Sequence, residues 1–120
     1  MEDTYTSPGS TTIATDVLLT IAQLTTLSIP GVSRLSNLRG KGMDLFLKKG
    51  QAREGVKIDV VDDIVYADIY VILKNDVNVR EVSHQLQNDV ARAISEMVGM
   101  QVGRINVHIE DIDYPGEVQS

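Results

Sequence analysis

Two runs of strict alternation restrict this chain more than any other feature. Val56, Ile58 and Val60 alternate with Lys57 and Asp59, while Val65, Ala67, Ile69, Val71 and Leu73 alternate with Tyr66, Asp68 and Tyr70. A period of two sends successive side chains to opposite faces, so each run reads as a strand with one buried face. If Asp62-Asp63 is a two-residue turn, Val61 faces Ile64 and paired residue numbers sum to 125. Val56, Ile58 and Val60 then lie opposite Ile69, Ala67 and Val65 on the core face, and Lys57 lies opposite Asp68. Burial and charge thus select the same register. Two adjacent Asp are not the usual pair for a primed turn, and a slightly longer loop is the alternative.

After the hairpin the period changes to that of a helix. Asn78, followed by Glu81 three residues on, forms a start resembling a capping box, and Gly99 suits the stop. Val79, Val82, Leu86, Val90, Ala93, Ile94 and Met97 make one apolar stripe; Arg80, Glu81, His84, Gln85, Asn88, Arg92 and Glu96 point outward. A strand follows, with Ile105, Val107 and Ile109 inward and Arg104, Asn106, His108 and Glu110 outward. Strand, helix and strand over residues 64–112 suit a parallel crossover.

The N-terminal part is harder to read. A short strand over residues 11–13 is expected to lead into a helix capped by Thr15 or Asp16 and ended by Pro30-Gly31. Val17, Leu18, Ile21, Ala22, Leu24 and Thr25 share its expected core side. The opposite side carries Leu19, Gln23 and Leu27 at i, i+4 and i+8 with no charge, either as a second buried face or as a strip that meets a partner. Residues 32–50 read as a short strand, a glycine-basic loop at Arg39-Gly40-Lys41-Gly42, and a second short strand over 43–47. The resulting expectation is a two-layer α/β (α+β) domain: a mixed sheet of about four to five strands with two helices on one face. Residues 10–114 form the single domain, with flexible ends at 1–9 and 115–120.

Composition narrows the chemistry. The 120 residues contain no Cys, which excludes disulfides, thiolate metal sites and Cys nucleophiles. With no Trp and one Phe, the four Tyr are nearly the whole aromatic complement, poor material for base stacking. The net charge of −6 opposes a surface coated in nucleic acid, yet residues 33–57 hold seven basic side chains against Asp44 and Glu54. Arg39, Lys41, Lys48, Lys49 and Arg53 are the candidate anion-binding residues of this basic segment, 34–57; balancing the acidic remainder is the plainer role. The uncharged run 17–33 is too short and too polar to span a bilayer, so a cytoplasmic chain is expected, with any membrane contact indirect.

No catalytic constellation stands out. His84 and His108 fall on polar faces, and no Ser, Asp or Glu lies at a spacing that predicts a triad. His108, Glu110, Asp111 and Asp113 read as a solvated acidic chain end sooner than as a metal site. Arg39-Gly40-Lys41-Gly42 has neither the Walker spacing nor the dinucleotide fingerprint. No catalytic residue, cofactor or metal is expected. The polar sheet face is different: Tyr66, Tyr70 and Ile72 stand there beside Asp59, Asp68, Asn106 and His108, and two helices leave that face uncovered.

Several blocks also match a known pattern: Ile13-Ala14-Thr15-Asp16-Val17 through Ile21-Ala22, Ile29-Pro30-Gly31-Val32, Gly55-Val56-Lys57-Ile58-Asp59-Val60, and a longer one. That longer block runs Gln87-x-x-Val90-x-x-Ala93-Ile94-x-x-Met97-x-Gly99-Met100-x-Val102-x-x-Ile105-Asn106-Val107-His108-Ile109. In these the chain resembles the alkaline shock protein family, the envelope stress response proteins of Gram-positive and related bacteria. The resemblance implies a non-enzymatic cytoplasmic domain that self-associates as a homo-oligomer or is held at the membrane by a membrane-anchored relative. It supplies no catalytic residues, and it gives Asn106 and His108 a place in the motif without a role. The function expected is an interaction module whose contacts use Leu19, Gln23 and Leu27, or Tyr66, Tyr70 and Ile72, or both sets. The alternative is an RNA- or anionic-lipid-binding module that uses segment 34–57.

Overall fold

The computed structural model describes residues 9–36 and 51–114. Among the described residues seven elements follow one another: α1 (Gly9–Ser28), β1 (Val32–Leu35), β2 (Gln51–Arg53), β3 (Val56–Val61), β4 (Ile64–Lys74), α2 (Val79–Val98) and β5 (Gln101–Asp113). The five strands form one mixed sheet. β4 is its axis: β3 pairs antiparallel with residues 64–69 of β4, and β1 with residues 71–73. These two strands lie end to end along one edge, because the Tyr70 N–H donates to Gly55 O and the Tyr70 carbonyl accepts from the Ser36 N–H, both at 2.8 Å. β5 runs parallel to β4 along the other edge, and β2 extends the sheet beyond β3. The expected fold class is the observed one.

The hairpin follows the register in which paired numbers sum to 125, from Val56↔Ile69 to Val61↔Ile64. Asp62 and Asp63 both take positive φ, 53° and 66°, the backbone a type I′ turn requires. Short polar side chains tolerate that left-handed region, so the two-residue turn stands without glycine. α2 also begins and ends where expected. Asn78 Oδ1 accepts from the Glu81 N–H at 3.1 Å, and Gly99, at φ 78°, donates its N–H to Ser95 O. Val82, Leu86, Val90 and Ile94 are buried against the sheet, while Val79 and Met97 lie in solvent instead of in the stripe. Both are in terminal turns of the helix.

α1 differs from expectation in extent and in phase. It starts at Gly9, so residues 11–13 are helical where a strand was expected, and Thr15 and Asp16 lie within the helix and do not cap it. The β-branched residues that suggest a strand are a weak preference, overridden by continuation of the helix. Thr15, Leu18, Leu19, Ala22 and Thr26 are buried, and Ile29 beyond the helix end joins them. At 100° per residue they occupy an arc of about 100°. That arc is rotated by roughly one residue from the expected core side. Behind the helix, Gly31 takes φ 102°, and a Cβ there would stand 2.9 Å from Val82 Cγ2. Glycine therefore lets the end of α1 close on the start of α2.

Both helices cover the same sheet face, through Val56, Ile58, Val65, Ala67, Ile69, Val71 and Leu73. The other face has no helix on it among the described residues. The expected strand at 43–47 and the glycine-basic loop lie outside the described residues, as do nearly all of the expected flexible ends.

Candidate functional site

The sheet face that has no helix on it among the described residues is organised around Asp68, in the middle of β4. The ladder sets Asp68 between Lys57 on β3 and Asn106 on β5, and sets Tyr70 beside His108. Asp68 Oδ1 accepts from Asn106 Nδ2 at 3.1 Å and lies 3.0 Å from His108 Nε2. The His108 ring stacks on Tyr70, with centroids 4.3 Å apart and planes within 10°. Burial raises the Tyr70 phenol above its ordinary value of 10.0, and the negative charges of Asp68 and Glu110 add to this. One carboxylate thus gathers both polar members of the Asn106-Val107-His108 motif and stitches β5 to β4 across the open face. Spacing alone showed that these residues share a face; the parallel register decides that they converge on Asp68.

A carboxylate holding an imidazole resembles half of a catalytic triad. Among the described residues no hydroxyl bonds to His108, and no group of three His, Asp or Glu side chains is placed to hold a metal. Asp113 is drawn elsewhere: it pairs with Arg34 through Nε–Oδ2 at 3.1 Å and Nη2–Oδ1 at 3.2 Å, and accepts from Ser33 Oγ at 2.6 Å. Those hydrogen bonds, Arg34 first, hold its carboxyl below the ordinary 3.8. What the face offers chemically is a hydrogen-bonding and aromatic contact surface. Tyr66 is exposed and Tyr70 is half-buried on it. Ile72, expected to be exposed there, is only 6% exposed. It lies between β1 and β5, whose Arg34 and Asp113 side chains join across β4.

The expected helix strip is divided. Leu19 is 2% exposed and belongs to the core, which corrects its place among the contact residues. Gln23 is half-buried and donates Nε2 to Glu54 O at 3.0 Å. Leu27 is exposed, but its apolar companions are Val17 and Leu24: the three are 50%, 43% and 64% exposed in that order. Asp16 is the sole charge of α1 and lies on the solvent side, so Thr20, Leu24 and Leu27, at i+4, i+8 and i+11, share its face. That one charge was the signal by which the sequence marked the outer face.

Of the candidate anion-binding residues, Arg39, Lys41, Lys48 and Lys49 lie outside the described residues. Arg53 bonds to Thr20 Oγ1 at 2.7 Å and pairs with Asp16, fastening β2 to α1. Arg34 is held by Asp113, so both described arginines of segment 34–57 already have acidic partners.

The model of the alkaline shock protein family, described as having cell envelope-related function, matches residues 3–114. The uncharacterized protein YqhY of Bacillus subtilis is 26% identical over 98% of this chain and 86% of its own length. The uncharacterized protein Spy1535 of Streptococcus pyogenes is 33% identical over 87% of this chain and 79% of its own. Among solved structures, the copper form of the MamM CTD superposes with a TM-score of 0.51 at 12% identity. It covers 87% of this chain and 91% of that one, a likeness of fold alone.

Proposed function

Because the chain belongs to the alkaline shock protein family, whose function is cell envelope-related, we propose that it is a non-enzymatic interaction module that assembles with copies of itself and docks onto a membrane-tethered partner. The outer strip of α1 carries this reading. Val17, Leu24 and Leu27 stand in solvent within a run, 17–33, that has no charge. A solvated helix face ordinarily carries several charges; this one has Asp16 alone, already paired with Arg53, and its apolar side chains gain on being covered. Burying one such side chain is worth about 1.5–3 kcal/mol. Tyr66, exposed on the other sheet face, adds a second accessible surface beside the Asp68 cluster. No helix among the described residues is long and apolar enough to cross a membrane, and the reading assigns the tether to the partner.

Light scattering behind gel filtration, over a hundredfold range of protein concentration, tests it. Discrete oligomers are expected, weakened by Leu24→Lys at unchanged circular dichroism. A chain that stays monomeric throughout overturns self-assembly.

A further inference from the structure

β5 is the longest strand, 13 residues, and among the described residues nothing pairs with its outer edge. Its core-facing side chains are also less covered than those of β4. Val65, Ala67, Ile69, Val71 and Leu73 are at most 1% exposed, whereas Val107, Ile109 and Ile112 on β5 are only half-buried. A long edge with open amides and partly exposed apolar side chains is a template for another strand.

The side chains of β5 indicate which strand that is. Two bulges, at Gly103 and Glu110, bound a regular stretch, 104–109. When two copies of this stretch lie antiparallel about a two-fold axis at Val107, paired numbers sum to 214. Arg104 then faces Glu110 at both ends, Ile105 faces Ile109 on the core face, Asn106 faces His108 on the open face, and Val107 faces itself. Beyond the bulges, Gly103 faces Asp111 and Gln101 faces Asp113, with no like charges opposed. A slip by one residue puts core-facing against open-facing side chains. Centring on Asn106 instead opposes Arg104 to His108; centring on His108 opposes it to Ile112. Arg104 and Glu110 are both exposed, and Arg104 has no ion-pair partner among the described residues. Glu110 already interacts within its own chain, and a carboxylate with two oxygens serves two neighbours.

From this self-complementarity we infer that β5 is a homotypic docking edge: a second copy of the chain adds its own β5 antiparallel, two-fold at Val107, to make one continuous sheet across the pair. The inference rests on the self-assembly proposed above and names its contact. A closed two-fold pair is the commonest symmetry of homo-oligomers, and each charge pair occurs twice in it.

Charge reversal in the full chain, read by sedimentation equilibrium, tests the edge. Arg104→Glu and Glu110→Arg are each expected to raise the dimer dissociation constant about tenfold, since each opposes like charges at both ends. An equimolar mixture of the two variants is expected to recover dimer, because each reversed residue then faces the other. The chain has no Cys, so single thiols report the register: Val107→Cys cross-links to itself on mild oxidation, while Ile105→Cys and Ile109→Cys cross-link only when mixed. A wild-type chain that remains monomeric overturns both the edge and self-assembly. A wild-type oligomer indifferent to both reversals, with no cross-link at position 107, overturns the edge and leaves self-assembly standing.

Discussion

α1 and α2 are each 20 residues long and pack on the same face of the same sheet, yet only α2 lies as its sequence suggests. All seven of its expected outward residues, from Arg80 to Glu96, keep to the solvent side, and its four buried residues all fall in the expected stripe. α1 carries a single charge, and three of its exposed positions are Val or Leu. Charged side chains keep to water because burying them costs several kcal/mol, so they fix a helix's rotation from the outside. Apolar side chains are content on either face. A helix nearly without charge leaves its rotation to whatever packs against it.

The largest expected effect comes from truncating two leucines of α1 that the sequence treats in the opposite sense. Leu19→Ala is expected to destabilise by about 3 kcal/mol, as for a buried leucine. Leu24→Ala is expected to cost at most about 0.5 kcal/mol, as for a surface site. Urea denaturation with equal costs at both positions would return α1 to the phase read from its sequence.

Two smaller changes sharpen the contrast in how the helices satisfy polar groups. In α2, Asn78→Ala removes the bond to the Glu81 N–H and is expected to cost about 1 kcal/mol in the same assay. In α1, Thr26 Oγ1 is buried with no hydrogen-bond partner among the described residues. Thr26→Val keeps the shape and is expected to stabilise by about 1 kcal/mol. A loss on Thr26→Val would mean that the hydroxyl has a partner.

The smallest effect lies in the sheet, at a charge whose role the sequence left unmarked. Hydrogen bonds from Arg34 and Ser33 lower the folded-state titration of Asp113. The stability this confers is complete above the ordinary 3.8 and is lost as pH falls through the lowered folded value. Arg34→Ala is expected to move the Asp113 carboxyl, followed by NMR titration, back up toward 3.8. It also flattens the acid limb of the stability curve. An unmoved titration would assign the shift to Ser33 alone.

Legibility followed the same physical line elsewhere. The β3–β4 register was readable because burial and the Lys57–Asp68 pairing agreed residue by residue, and a one-residue slip would have turned both runs inside out. The ends of α2 were readable because Asn78 and Gly99 carry local backbone requirements. The candidate site was readable in part. Tyr66 and Tyr70 do stand on the open face, but Ile72 is buried between strands whose Arg34 and Asp113, 79 residues apart in sequence, pair across β4. Leu19 and Leu24 exchanged roles because the period of α1 had one charge to anchor it.

Local sequence is enough for the strands of the hairpin, their pairing, the limits of α2, and the strand–helix–strand order from β4 to β5 that makes the sheet mixed. All of these are encoded by neighbours or by a period of two or 3.6, which local chemistry enforces. Only the tertiary structure decided the rotation of α1, the end-to-end placement of β1 and β3 along one edge of β4, and the convergence of Asn106 and His108 on Asp68. Each of these depends on which surfaces meet after the chain has closed on itself, and the free energy that selects them comes from burial shared between distant segments.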